Sequence, residues 1–78
     1  MKNTVALCAL RPGDHAVVTA LHSGGAMRRR LRDIGLIENT PVECIGLGSG
    51  GEIAAYYIRG AVIALRREDS GSIEVLPS

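Results

Sequence analysis

The chain reads as mainly β: a small, strongly bent sheet or barrel of about five strands, with one short α-helix inserted between the first and second strands. Three observations lead there. Short segments rich in Val, Ile, Thr, Tyr and small apolar residues recur along the chain, each bounded by Gly, Pro, Asn or Asp turn chemistry. One stretch, Ala26 to Gly35, carries a helical period. A length of 78 residues supports one domain with one small core, and a curled sheet plugged by a helix encloses such a core economically.

Taken in order, Met1 to Thr4 is polar and expected to be loose. Leu7 and Leu10 are spaced to anchor one turn on the core. Arg11-Pro12-Gly13-Asp14 is a turn, in which Pro presets one dihedral and Gly supplies the unusual one. His15 to His22 is the first strand; its alternation is imperfect, which allows a bulge. In the helix, Met27, Leu31 and Ile34 fall at i, i+4 and i+7 and form a narrow apolar stripe. Ser23 is its expected N-cap, and Gly35 its left-handed C-terminal cap. The stripe is expected to plug one end of the barrel, because a helix of about ten residues is marginal alone.

Leu36 to Thr40 turns the chain, with Asn39 best suited to a positive φ. Pro41 to Leu47 is the second strand, with Val42 and Cys44 on one face and Glu43 on the other. Gly48 to Gly51 is a loop. Glu52 to Ile58 and Ala61 to Arg66 flank Arg59-Gly60, which predicts a two-residue hairpin. That register pairs Ile58 with Ala61, Tyr56 with Ile63 and Ala54 with Leu65 on the inward face. Tyr57 with Val62 and Ala55 with Ala64 take the other. Arg67 to Gly71 turns, and Ser72 to Leu76 is a last strand with Ile73 and Val75 on one side.

Composition narrows the function. Hydrophobic residues make up 46% of the chain, without Phe or Trp, so the core is aliphatic and disorder is excluded. A net charge of +1 argues against an obligate nucleic-acid binder. No apolar run reaches the roughly 18 residues that a membrane span requires, and the N-terminus lacks a signal peptide's apolar stretch. A cytoplasmic protein is the expectation, with Cys8 and Cys44 as reduced thiols.

The residues Leu7-x-x-Leu10-x-Pro12-Gly13-Asp14, Met27-x-x-Arg30-Leu31-x-Asp33-Ile34-Gly35-Leu36, Thr40-x-Val42-x-Cys44, Ile63-x-Leu65-Arg66 and Ile73-x-Val75, in this order, resemble the FeoA family of bacterial ferrous iron transport. The resemblance runs from Leu7 to Val75. It implies an SH3-like β-barrel, no catalysis, no cofactor, and action through the cytosolic region of the membrane transporter FeoB, with the membrane reached only through that partner. There are departures. Glu38-Asn39-Thr40 stands where Pro-Gly-Thr is usual, Gly50-Gly51-Glu52 replaces Gly-Asp-Pro, and Cys44 replaces an aliphatic residue.

Candidate sites follow from residue chemistry. His15 and His22 are seven apart, so regular alternation aims them at opposite faces, and neither Cys has a CxxC partner; no metal site is expected. No nucleophile, base and cleft come together, and Gly46 to Gly51 lacks the Lys-Ser/Thr of a phosphate loop, so no catalytic residue is expected. Four of the nine basic residues lie at Arg28, Arg29, Arg30 and Arg32. Guanidinium forks suit carboxylates and phosphates, so Arg28, Arg29 and Arg32 are candidate partner-binding residues, although a charge run also serves as a solvated face. Arg30 is expected to pair with Asp14 or Glu68. The run from Ile53 to Ile58 holds no charge, so one hairpin face is either covered within the barrel or meets a partner; Tyr57 and Val62 are its expected centre, for the transporter or for self-association. The alternative function is a nucleic-acid-binding or repressor-like SH3 domain in metal-dependent regulation, which the spread of acidic residues disfavours.

Overall fold

A computed structural model of the chain describes residues 3–78. Of the segment expected to be loose, Met1 and Lys2 lie outside the described residues; Asn3 and Thr4 are exposed and precede the first strand. Six antiparallel strands form one sheet: β1 (Val5–Ala6), β2 (His15–Leu21), β3 (Pro41–Leu47), β4 (Ile53–Ile58), β5 (Ala61–Arg66) and β6 (Ile73–Pro77), in the spatial order β1-β6-β2-β3-β4-β5. Helix α1 (Gly25–Asp33) joins β2 to β3, and the single turn α2 (Arg67–Ser70) joins β5 to β6. The five expected strands are all present. The sixth, β1, has two residues held against β6 by Val5 opposite Val75 and Ala6 opposite Glu74.

The sheet curls around one aliphatic core. Leu7, Ala16, Val18, Leu31, Leu36, Val42, Cys44, Tyr56, Ile58, Ile73 and Val75 are all buried in a single cluster. Leu7 and Leu10 enter it from a 3-10 turn at Leu7–Ala9, as their spacing predicts. Leu31 is the buried residue of α1, with Met27 and Ile34 partly buried against the same cluster. The stripe therefore docks the helix on the core.

Local turn chemistry follows the sequence closely. Gly13 has φ 93°, and the Asp14 N–H donates to the Arg11 carbonyl at 2.9 Å. Asn39 takes φ 72°, and Arg59 and Gly60 take 50° and 85°, the two positive values of a type I′ hairpin turn. Gly35 has φ 101°; its N–H donates to the Arg32 carbonyl and the Leu36 N–H to the Leu31 carbonyl, both at 3.0 Å. That pair of bonds is the Schellman arrangement, which satisfies carbonyls the helix end would otherwise orphan. The Thr40 hydroxyl, 3% exposed, donates to the Gly35 carbonyl at 3.1 Å and ties this cap to the start of β3.

Three expectations need correction. The N-cap of α1 is Gly24, with no side-chain cap; the Ser23 hydroxyl is engaged with that of Ser72 instead. Two of the helix arginines, Arg30 and Arg32, sit in the last turn, where positive charge suits the helix dipole. Arg30 pairs with neither Asp14 nor Glu68, since the ion pairs among the described residues are His15–Glu43, His22–Glu74 and Arg66–Glu68. Asp14 accepts the Arg11 N–H at 2.9 Å. Ala61, assigned to the inward face, is exposed on the edge strand β5, although its partner Ile58 is buried.

Candidate functional site

Two surfaces stand out, one cationic and one apolar. The cationic one is the outer arc of α1. Arg28, Arg29 and Arg32 are exposed, and no acidic group within ion-pair distance neutralises any of them among the described residues. Together with Gly25, Asp33 and Ile37 they line a shallow depression on the helix flank. A second depression beside it adds Leu21 and Glu38 to Arg28, Arg32 and Ile37. Ile37 is 41% exposed, so the arginines frame an apolar side chain. Guanidinium forks of this kind suit carboxylates and phosphates. Ile37 was not singled out from the sequence; a lone apolar residue after a helix cap gives no periodic signal.

The apolar surface is the convex face of the β3–β4–β5 strands. The hairpin has the register the sequence predicts, with Tyr57 opposite Val62, Ala55 opposite Ala64 and Tyr56 opposite Ile63. Ala54, Tyr56, Ile58 and Leu65 are buried and Ile63 is half-buried. The other face is not covered by any of the described residues: Tyr57 is 46% and Val62 64% exposed. Ile53 and Ile45 are exposed beside them. Ile45 faces outward by alternation from the buried Val42 and Cys44, and the register with β4 shifts there, between Cys44 and Gly46. Tyr57 also stands opposite Glu43 on β3.

The titratable groups are arranged for structure. A bulge at Thr19, between Val18 and Ala20, brings both histidines to the outer face, contrary to regular alternation. They remain at opposite ends of β2. His15 faces Glu43 at 3.9 Å, while His22 Nε2 lies 3.1 Å from a Glu74 carboxylate oxygen. The Thr19 hydroxyl lies 2.9 Å from the other Glu74 oxygen. The His22 and Thr19 hydrogen bonds, in that order, hold the Glu74 carboxyl below its ordinary pKa. Cys44 is fully buried, and burial pushes its thiol pKa up. Burial does the same to the Tyr56 phenol, whose oxygen lies 3.5 Å from the Leu7 carbonyl. No group of three or more His, Cys, Asp or Glu side chains is placed to hold a metal among the described residues. No helix among them is long and apolar enough to cross a membrane.

A six-stranded, bent antiparallel sheet with one docked helix and open surface patches defines a small SH3-like domain. The sequence profile of the FeoA domain matches residues 5–77, and the chain belongs to that family. It is 29% identical over 69 residues to the Fe(2+) transport protein A/Fe(2+) transporter FeoB fusion protein of Porphyromonas gingivalis. The match covers 88% of this chain and 8% of that protein, so the chain spans only a small part of the relative's length. The solution structure of the FeoA protein from Chlorobium tepidum is 30% identical, with a TM-score of 0.85 over 99% of this chain and 70% of that one. The crystal structure of an iron uptake regulatory protein (FeoA) superposes with a TM-score of 0.87 at 21% identity, over 97% of this chain and all of that one. A manganese-dependent transcriptional repressor superposes at 0.89 and 19% identity, over 100% of this chain and 44% of that one. At those last two identities the likeness is one of fold.

Proposed function

We propose that this chain is a non-catalytic accessory domain of ferrous iron uptake that acts from the cytoplasmic side by binding the cytosolic region of a FeoB transporter. The observation that carries this reading is the fusion protein, in which a stretch similar to nearly the whole of this chain is joined to the transporter in one polypeptide. The geometry supports it with a contact surface. Arg28, Arg29 and Arg32 are exposed and unpaired among the described residues, and they take acidic groups of the transporter around Ile37. The convex patch at Tyr57 and Val62 offers a second, apolar contact, with Tyr57 supplying an apolar body and a hydroxyl that tolerates water.

The test is a pull-down with the transporter's cytosolic region, with and without guanine nucleotide, using the wild type and an Arg28→Glu, Arg29→Glu, Arg32→Glu variant. Three exposed charge pairs at roughly 0.5–1 kcal/mol each predict binding weaker by about ten- to a hundredfold, with the circular dichroism spectrum unchanged. Wild-type affinity in a folded triple variant would reduce the cluster to a solvated face. The likeness to repressors concerns fold alone, and α1 is the only helix longer than one turn among the described residues. Binding to generic duplex that falls steeply with salt, without transporter binding, would favour the nucleic-acid reading instead.

A further inference from the structure

The sheet ends on β5 without a neighbour. Among the described residues β5 pairs with β4 alone, and the other end of the sheet, β1, has only two residues. The phase of the hairpin ladder identifies which backbone groups are free. The residues flanking the two-residue turn form a hydrogen-bonded pair, and every second pair after it does the same. The Arg67 N–H reaching the Glu52 carbonyl at 2.8 Å fits that phase. Ala61, Ile63 and Leu65 therefore bond to β4, and the N–H and C=O groups of Val62, Ala64 and Arg66 point to the free edge. No other hydrogen bond engages them among the described residues.

This edge lacks the usual protections. Strands exposed in this way carry lysine, proline, a bulge or an inward-pointing charge. β5 reads Ala-Val-Ile-Ala-Leu-Arg, its pairing with β4 is regular, and its one charge is at the end. Beside it runs a groove of about 430 Å³ between α1 and β5, whose lining includes Met27, Ile34, Ile63 and Leu65.

We infer that the β5 edge pairs with the β5 edge of a second copy of this chain, antiparallel about a two-fold axis through Ala64. The strand is self-complementary in that register. Ala64 faces the second copy's Ala64, and Val62 faces its Arg66, so about six backbone hydrogen bonds form. On the groove side, Ile63 meets the second copy's Leu65. No like charges oppose one another. On the convex side the Arg66 stem lies over the second copy's Val62, with its guanidinium directed to the face of Tyr57. Pairing β5 with β1 would instead be head-to-tail and would use only two residues. The two-fold dimer leaves the arginine arc of α1 free, and it joins two convex patches into one.

The inference concerns the chain alone, so its test omits the transporter and cannot fail for the same reason as the proposal above. Sedimentation equilibrium should show a mass moving from 8.2 kDa to twice that value as concentration rises. Ala64 is exposed, so Ala64→Lys and Ala64→Glu leave the core untouched while placing like charges opposite each other across the axis. Each variant alone should stay monomeric, and an equimolar mixture should return to the doubled mass. A wild type that remains monomeric at millimolar concentration, a variant that keeps the doubled mass, or a mixture that stays monomeric would each overturn the register. Amide exchange on the wild type gives a second reading that needs no variant. Val62, Ala64 and Arg66 should exchange at least tenfold more slowly at high than at low concentration, and concentration-independent exchange would overturn the pairing.

Discussion

Replacing Leu31 by alanine should be the most damaging single change in α1. The helix has nine residues and no side-chain N-cap, so its stability comes from docking rather than propensity. Leu31 is 1% exposed and belongs to the central cluster, while Met27 and Ile34 are only partly buried at its margin. Leu31→Ala removes three carbons. At about 0.8 kcal/mol for each buried methylene the transfer term is roughly 2.4 kcal/mol, and the cavity left beneath the helix brings the total to about 3–4 kcal/mol. Domains of this size hold on the order of 4–12 kcal/mol in all, so about a quarter or more of the stability goes. Urea unfolding followed by circular dichroism measures it: with a slope near 1–1.5 kcal/mol per molar, the midpoint should fall by about 2–4 M. The same variant should lose transporter binding before it unfolds globally, because the arginine arc depends on the helix being docked. A loss of under about 1 kcal/mol would refute the reasoning, since it would mean that the helix contributes little to the core and that its arginines are held by something else.

Gly35→Ala should destabilise the domain by about 1–2 kcal/mol, the cost of a side chain in a left-handed cap. An added Cβ would also stand 2.5 Å from the Arg59 side chain, and calorimetry of the variant reads the sum. Glu74 has a lowered pKa in the folded chain, so its contribution is present above the ordinary glutamate value of about 4.3 and is lost as pH falls through the folded value. Glu74→Gln should therefore flatten the acid limb of stability below about pH 4.3, and urea midpoints at pH 6 and pH 3 compare the two proteins. Native-state alkylation should modify Cys8, which is partly exposed, and spare Cys44 until unfolding, because Cys44 is buried and its thiolate is disfavoured; peptide mass analysis with and without denaturant distinguishes them.

What was legible in the sequence is what neighbouring residues decide among themselves. The hairpin register follows from Arg59-Gly60 because a two-residue turn leaves one pairing available. Gly35 and Asn39 announce their conformations because few other residues adopt them. The arginine arc and the exposed Tyr57–Val62 face follow from period and alternation. What escaped depends on partners distant in sequence. β1 is a strand only because β6 lies beside it, and no two-residue segment signals that. Ser23 looked like an N-cap until Ser72, 49 positions away, took its hydroxyl. The register shift after Cys44, which sets Gly46 opposite Ala55 and Leu47 opposite Ala54, depends on β4.

The bulge at Thr19 shows how such a choice is settled. Alternation begun by the buried Ala16 and Val18 would next bury Ala20 and His22 and expose Leu21. One extra residue reverses this: Leu21 falls opposite the buried Ile73, Ala20 opposite Glu74, and His22 moves outward to the Glu74 carboxylate. The interruption costs a ladder bond worth about 1 kcal/mol net. Burying leucine returns about 1.5–3 kcal/mol at full burial, and keeping an imidazole out of the aliphatic core avoids at least 1–3 kcal/mol more. The balance favours the bulge even with Leu21 only partly buried. The Thr19 hydroxyl, 3.1 Å from the Glu74 carbonyl, then occupies part of the ladder it interrupts. Thus the same irregularity that defeated the alternation argument for the histidines also places His22 against Glu74, and the two histidines share a face without sharing a site.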